Sequence, residues 1–201
     1  MNAVHALPAT MDATTMDATI VDVTTGLLRD WPLPMPGAAF RFEQPVIVTP
    51  HCGEMAHLTG QAKTDIVAGP DEPARVAAAE WNAVVALKGA RTVIASPGGA
   101  LWQHEGGNVG LAISGSGDTL AGIIAGLAAR GATLEQATCW GVALHARAGE
   151  QLASRMGVLG YLAREIPDEI PALLESVAGL EAGDATTIRA TPGGREERKS
   201  V

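Results

Sequence analysis

Apolar residues change their spacing several times along this chain, and each change marks an element. Val46-Ile47-Val48-Thr49 is a short unbroken apolar run stopped by Pro50, the pattern of a buried strand. Ala83–Lys88 and Thr92–Ala95 read as two more strands split by Gly89. Pro97-Gly98-Gly99 then makes a turn, after which Ala100–Gln103 returns as a hairpin partner. Between the strands the spacing becomes helical. A short helix begins at Ala56–Leu58 after Gly53-Glu54, and Glu72–Asn82 is an alanine-rich second one. Leu120, Ile123, Ile124 and Leu127 recur at i, i+3, i+4 and i+7, with Gly131 as the stop. Thr133 and Gln136 form a capping box for a further helix carrying Trp140, Val142, Leu144 and Ala148 towards Leu152. Tyr161–Glu165 and Ile170–Val177 predict short terminal helices, and Glu105–Gly117 is a glycine-rich loop. Strands alternating with helices predict an α/β fold.

The two ends follow other rules. Thr10-Met11-Asp12-Ala13-Thr14 is repeated at once as Thr15-Met16-Asp17-Ala18-Thr19, with no hydrophobic period. Pro32, Pro34 and Pro36 then forbid regular helix or central strand, which leaves Ile20–Leu28 as the one ordered candidate there. Beyond Gly179 the chain turns polar. The expected organisation is a leader at 1–44, a folded domain at 45–178 and a disordered tail at 179–201.

Composition narrows the function classes. A net charge of −8 opposes broad nucleic-acid binding, which needs a basic face, although a local cluster can still hold a small phosphorylated ligand. No apolar run reaches the roughly 18 residues of a membrane span and none resembles a signal peptide, so a cytoplasmic setting is expected. Cys52 and Cys139 match no metal motif and are expected to be reduced thiols.

Three segments carry chemistry. The first is Ile113-Ser114-Gly115-Ser116-Gly117-Asp118, which opens a strongly amphipathic helix. Unpaired N–H groups at a helix start attract anions, and Gly115 and Gly117 let the backbone come close to one. Asp118 is out of place in a site for phosphate alone, yet suited to one that deprotonates a nucleophile; otherwise it is a dipole-stabilising carboxylate. The second is Thr49-Pro50-His51-Cys52-Gly53-Glu54, just past a strand's carboxyl end, where open α/β sheets place ligands. His51 can meet a ligand hydroxyl or phosphate, and Glu54 can orient a metal-bound water or cap a helix. The third is Leu87-Lys88-Gly89-Ala90-Arg91-Thr92, two cations around a glycine, with Lys88 one of three lysines in the chain.

In order and spacing these segments, together with Gly107-Asn108-Val109-Gly110-Leu111-Ala112, resemble the ADP-dependent NAD(P)H-hydrate dehydratases, the C-terminal YjeF-type domain of the ribokinase-like superfamily. The similarity runs from about Pro45 to Val177, and His145 and the Gly157–Gly160 loop fit it too. The resemblance implies a three-layer α/β/α sandwich with a mainly parallel sheet. It also implies an N-terminally truncated domain, because family members carry an early Gly-rich segment and further strands where this chain has its leader. Cys52 and Val109 stand where the family usually or often has proline.

The resemblance implies that Asp118 takes the proton from the ring hydroxyl of hydrated NADH or NADPH, which attacks the terminal phosphate of ADP. His51 and Asp118 would then contact the hydrate. Lys88, Gly89, Ala90, Arg91 and Thr92 would line the nucleotide phosphates, with Gly115, Ser116 and Gly117 forming the anion hole. Mg²⁺ is implied as a companion of ADP with few or no protein ligands, and a homotetramer as the assembly. Two alternatives stay open: a non-catalytic remnant that binds nucleotide, and a ribokinase-like kinase acting on a small molecule.

Overall fold

The computed structural model describes residues 19–21 and 41–184, with side chains from Arg41 to Val177. Five strands form one sheet in the order β1 (Thr19–Val21), β2 (Val46–Val48), β3 (Ala83–Leu87), β4 (Arg91–Ala95) and β5 (Leu101–Glu105). β1, β2 and β3 pair in parallel, while β3–β4 and β4–β5 are antiparallel, so the described sheet is mixed. The β4–β5 pair is the predicted hairpin. Thr19–Val21 is a strand inside the expected leader, overlapping the single ordered candidate there; the repeated pentapeptides and the proline run lie outside the described residues.

Strand alternation splits the apolar residues between two cores. Val46, Val48, Ala83, Val85, Leu87, Val93 and Ala95 face α1 (Cys52–Thr59), α2 (Lys63–Ala68) and α3 (Asp71–Trp81). Ile47, Val84, Ala86 and Ile94 face α4 (Ser116–Ala129), α5 (Leu134–Met156) and α6 (Ile166–Asp184). Both faces are therefore covered, which explains the unbroken apolar runs of β2 and β3 and makes the α/β/α layering. β5 lies at one end of the described sheet and keeps a half-exposed alternation, with Trp102 turned to the α4–α6 core.

Local chemistry sets the helix boundaries. Thr133 and Gln136 cap α5 reciprocally, as the spacing predicts. Ala74, Ala77 and Ala78 are buried where α3 meets the sheet. Helix α2 was not foreseen, because its short run has too few turns to show a period. The two short helices expected at the end are instead a 3-10 turn, Ala163–Glu165, running into one helix, α6, that continues past Gly179 to Asp184. Pro167 lies in its first turn, where the missing N–H costs nothing, and Pro171 is carried within it. Residues 185–201 of the expected tail lie outside the described residues.

Helices α4 and α5 touch at Gly141, where a Cβ would stand 2.4 Å from Ile124 Cγ1. This close approach brings the first turn of α4 within reach of α5. Gly141→Ala is expected to lower unfolding stability by roughly 1–3 kcal/mol through overpacking, read by chemical denaturation.

Candidate active site

The pairing of β2 with β3 does not stop where the strands do. Val46, Ile47 and Val48 pair with Ala83, Val84 and Val85, and beyond the strands His51 bridges Lys88 in the same register. Lys88 N–H donates to the Pro50 carbonyl at 2.8 Å, and the Cys52 thiol to the Lys88 carbonyl at 3.6 Å. The carboxyl ends of two parallel strands thus hold the Thr-Pro-His and Leu-Lys-Gly segments side by side.

His51 is also the N-cap of α1. Its Nδ1 accepts from the N–H groups of Gly53 and Glu54 at 2.9 and 3.0 Å, and Glu54 accepts from His51 N–H at 2.7 Å. An acceptor Nδ1 puts the ring proton on Nε2, so His51 presents an N–H donor outward, 3.4 Å from a Glu54 carboxylate oxygen. Glu54 is a capping residue, one of the two roles its spacing allowed.

The third segment arrives from above the sheet. Gly115 has φ 86°, a left-handed conformation that glycine adopts freely, and no side chain caps α4. Behind its first turn, the buried Ser116 meets His145 of α5. His145 Nε2 is 3.0 Å from Ser116 Oγ and 3.1 Å from the Ser116 carbonyl oxygen. Burial pushes the His145 imidazole down to about 4, the hydrogen bond to Ser116 opposing and the nearby Lys88 charge adding to it. His145 thus ties the start of α4 to α5 through Ser116.

Not every expected residue turns the same way. Arg91 is tied to Asp71 Oδ1 at 3.0 Å and to Gln103 Oε1 at 2.9 Å, and Gln103 Nε2 donates back to Asp71 Oδ2. Its guanidinium braces β4 against α3 on the far face. Gly89 and Ala90 form the exposed turn between β3 and β4, and Thr92 stands opposite His104 on the α4–α6 face. Gly117 is half-buried, and Asp118 lies exposed in the first turn of α4.

The glycine-rich loop that follows β5 is held from α5. The Gly107 N–H donates to Glu150 Oε1 at 2.8 Å, which holds the Glu150 carboxyl below its usual range. Asn108 Oδ1 accepts from both Gly110 N–H and the Tyr161 hydroxyl. A 3-10 turn, Val109–Ala112, therefore stands where only loop was expected. Burial raises the Cys139 thiol to about 12, in keeping with an inert reduced cysteine.

The sequence pattern offered His145 only as fitting the family resemblance; the structure sets it against Ser116. Its signal was present: a histidine on the apolar face of a helix, between Val142 and Ala148.

A family model described as NAD(P)H-hydrate dehydratase matches residues 32–172. The chain belongs to this family. The ADP-dependent (S)-NAD(P)H-hydrate dehydratase of Xanthomonas campestris is 53% identical over 132 residues, which are 66% of this chain and 46% of that protein. The bifunctional NAD(P)H-hydrate repair enzyme of Moorella thermoacetica is 44% identical over 133 residues, 66% of this chain and 25% of that protein. Among solved structures, the ADP/ATP-dependent NAD(P)H-hydrate dehydratase of Bacillus subtilis, co-crystallized with ATP/Mg²⁺, superposes with a TM-score of 0.69 at 32% identity. That likeness covers 79% of this chain and 55% of the other. The chain thus spans about half the length, or less, of these relatives.

No helix among the described residues is long and apolar enough to cross a membrane. Nor does any group of three His, Cys, Asp or Glu among them form a metal cage.

The His145 environment has a consequence for stability. Its folded pKa, about 4, lies below the ordinary 6.5, so between those values the unfolded chain holds a proton that the folded chain lacks. The resulting stabilisation is complete above about pH 6.5 and is lost as pH falls through about 4. Between pH 7 and 4 the wild type is expected to lose about 3 kcal/mol more than a His145→Gln variant. Paired urea titrations measure that difference and cancel the acid response of Glu150, common to both proteins.

Proposed function

We propose that this chain carries out the ADP-dependent dehydration of the S-epimer of hydrated NADH or NADPH, a lyase reaction of nicotinamide nucleotide repair. The carrying observation is the family match over residues 32–172 together with the start of α4, which no side chain caps and which holds Asp118 in its first turn.

In this reading Lys88 and the N–H groups of Gly89, Ala90, Arg91 and Thr92 line the phosphates of ADP, while the Arg91 guanidinium stays on Asp71. Gly115, Ser116 and Gly117 form the anion hole around the terminal phosphate, stabilising the charge that develops there. His51 donates from Nε2 to the hydrate. Asp118 takes the proton of the ring hydroxyl, whose oxygen attacks the terminal phosphorus and expels AMP. The carbon–oxygen bond then breaks with phosphate as leaving group, pushed by the ring-nitrogen lone pair. Loss of a proton from the neighbouring carbon restores the dihydronicotinamide. Phosphate leaves far more readily than hydroxide, which is the reason to spend a nucleotide.

In this reading Mg²⁺ arrives on the nucleotide, held by phosphate and water. Bound there, it would neutralise phosphate charge. A cytoplasmic location and a homotetramer complete the reading.

Asp118→Asn is expected to abolish hydrate-dependent phosphate release while ADP binding survives. Normal release by that variant would remove Asp118 from the mechanism, and ADP binding by a wild type without release would favour the non-catalytic alternative. Calorimetry separates the two cations. Lys88→Ala should weaken ADP about tenfold, as loss of a charge-assisted contact does. Arg91→Ala should change affinity less than about threefold, its loss falling mainly on the ion pair with Asp71.

A further inference from the structure

Tyr161 is 2% exposed and packs its ring into the core that α4, α5 and α6 share. Phenylalanine would fill that space equally well, so the core accounts for the ring and not for the hydroxyl. The hydroxyl donates to Asn108 Oδ1 at 2.8 Å, across 53 residues of sequence. The same oxygen accepts from Gly110 N–H at 2.9 Å, the N-cap bond of the Val109–Ala112 turn. A buried group of the core thus reaches out to fix a turn of the glycine-rich loop.

That turn is linked in short steps to the start of α4. Leu111 N–H donates to the Asn108 carbonyl at 3.1 Å, Ile113 N–H to the Gly110 carbonyl at 3.3 Å, and Ser116 N–H to the Ile113 carbonyl at 3.2 Å. Four of the eleven residues from Gly107 to Gly117 are glycine, so the run has little stiffness of its own and takes its shape from what holds it. One segment, Val158–Ala163, holds it at both ends. At the first end a Cβ on Gly110 would collide with the Val158 carbonyl and stand 2.8 Å from the Tyr161 hydroxyl. At the second, a Cβ on Gly115 would lie 3.4 Å from the Ala163 Cβ, and Thr119 Oγ1 donates to the Ala163 carbonyl at 3.4 Å.

We propose that Tyr161 and Asn108 are positioning residues for the anion hole, their hydrogen bond holding the Asn108–Ser116 run so that the start of α4 meets the terminal phosphate of a nucleoside diphosphate. The proposal rests on the nucleotide reading given above and deepens it. Neither side chain needs to touch the nucleotide; each acts through the run. The effect is therefore selective. AMP lacks the phosphate that the hole would hold, so losing this bond weakens ADP and spares AMP.

The test is calorimetry with ADP and with AMP on the wild type, Tyr161→Phe, Asn108→Ala and the double variant. Thr133→Ala, which loses the N-cap of α5, serves as a control for stability alone. Tyr161→Phe and Thr133→Ala should each melt about 2–4 °C below the wild type. Tyr161→Phe should weaken ADP about fivefold and AMP less than about twofold, whereas Thr133→Ala should leave both within about twofold. In the Asn108→Ala background Tyr161→Phe should add nothing, because the same hydrogen bond is already gone. Unchanged ADP affinity in Tyr161→Phe, or an equal loss for ADP and AMP, would show that the hydroxyl serves the fold alone and overturn the proposal. Additive losses in the double variant would overturn it too, as would a wild type that binds ADP no more tightly than AMP. A wild type that binds neither overturns the nucleotide reading itself, and this proposal with it.

Discussion

The structure depends on the parallel pairing of β2 with β3, because that pairing continues beyond the point where both strands leave the core. Inside, Ile47 and Val84 share a face buried under α4 and α5; outside, in the same register, His51 and Lys88 share it. A sheet covered on both sides offers a ligand no access through its faces. The strand ends are where its residues keep the spacing of the sheet while meeting solvent.

The helices then convert a row of strand ends into a corner. Gly141 admits Ile124 and lets α4 lie against α5, so that His145 reaches Ser116 and fixes the first turn of α4 from behind. Desolvation keeps that imidazole neutral, which spares the corner a second positive charge beside Lys88. On the other face Asp71 and Gln103 hold the Arg91 guanidinium, leaving Lys88 as the cation turned towards α4. One hairpin thus carries two cations to opposite layers, because neighbouring parities of β3 and β4 face opposite ways.

Much of this was legible in order of appearance. The unbroken run of β2 announced a buried strand, the Ala83–Lys88 run announced β3, and the Thr133–Gln136 box announced α5. The Gly115–Asp118 run announced a helix start without a side-chain cap. The misses have physical causes. Helix α2 has too few residues for a period to show, and Pro167 and Pro171 disguised α6 although a first-turn proline is compatible with a helix. Arg91 and Lys88 look alike as cations in a line of text; which way each points depends on strand parity and on Asp71, twenty residues away in sequence.

By itself the sequence determined the α/β class and the places of most elements, because hydrophobic spacing, capping pairs and glycine-rich turns act over a few residues. Only the tertiary structure decided which side chains meet. It set His51 beside Lys88, brought His145 to Ser116 and left the Thr49 oxygen without a partner among the described residues. Those contacts join segments tens of residues apart, and they follow from strand register and helix packing, which local propensity does not specify.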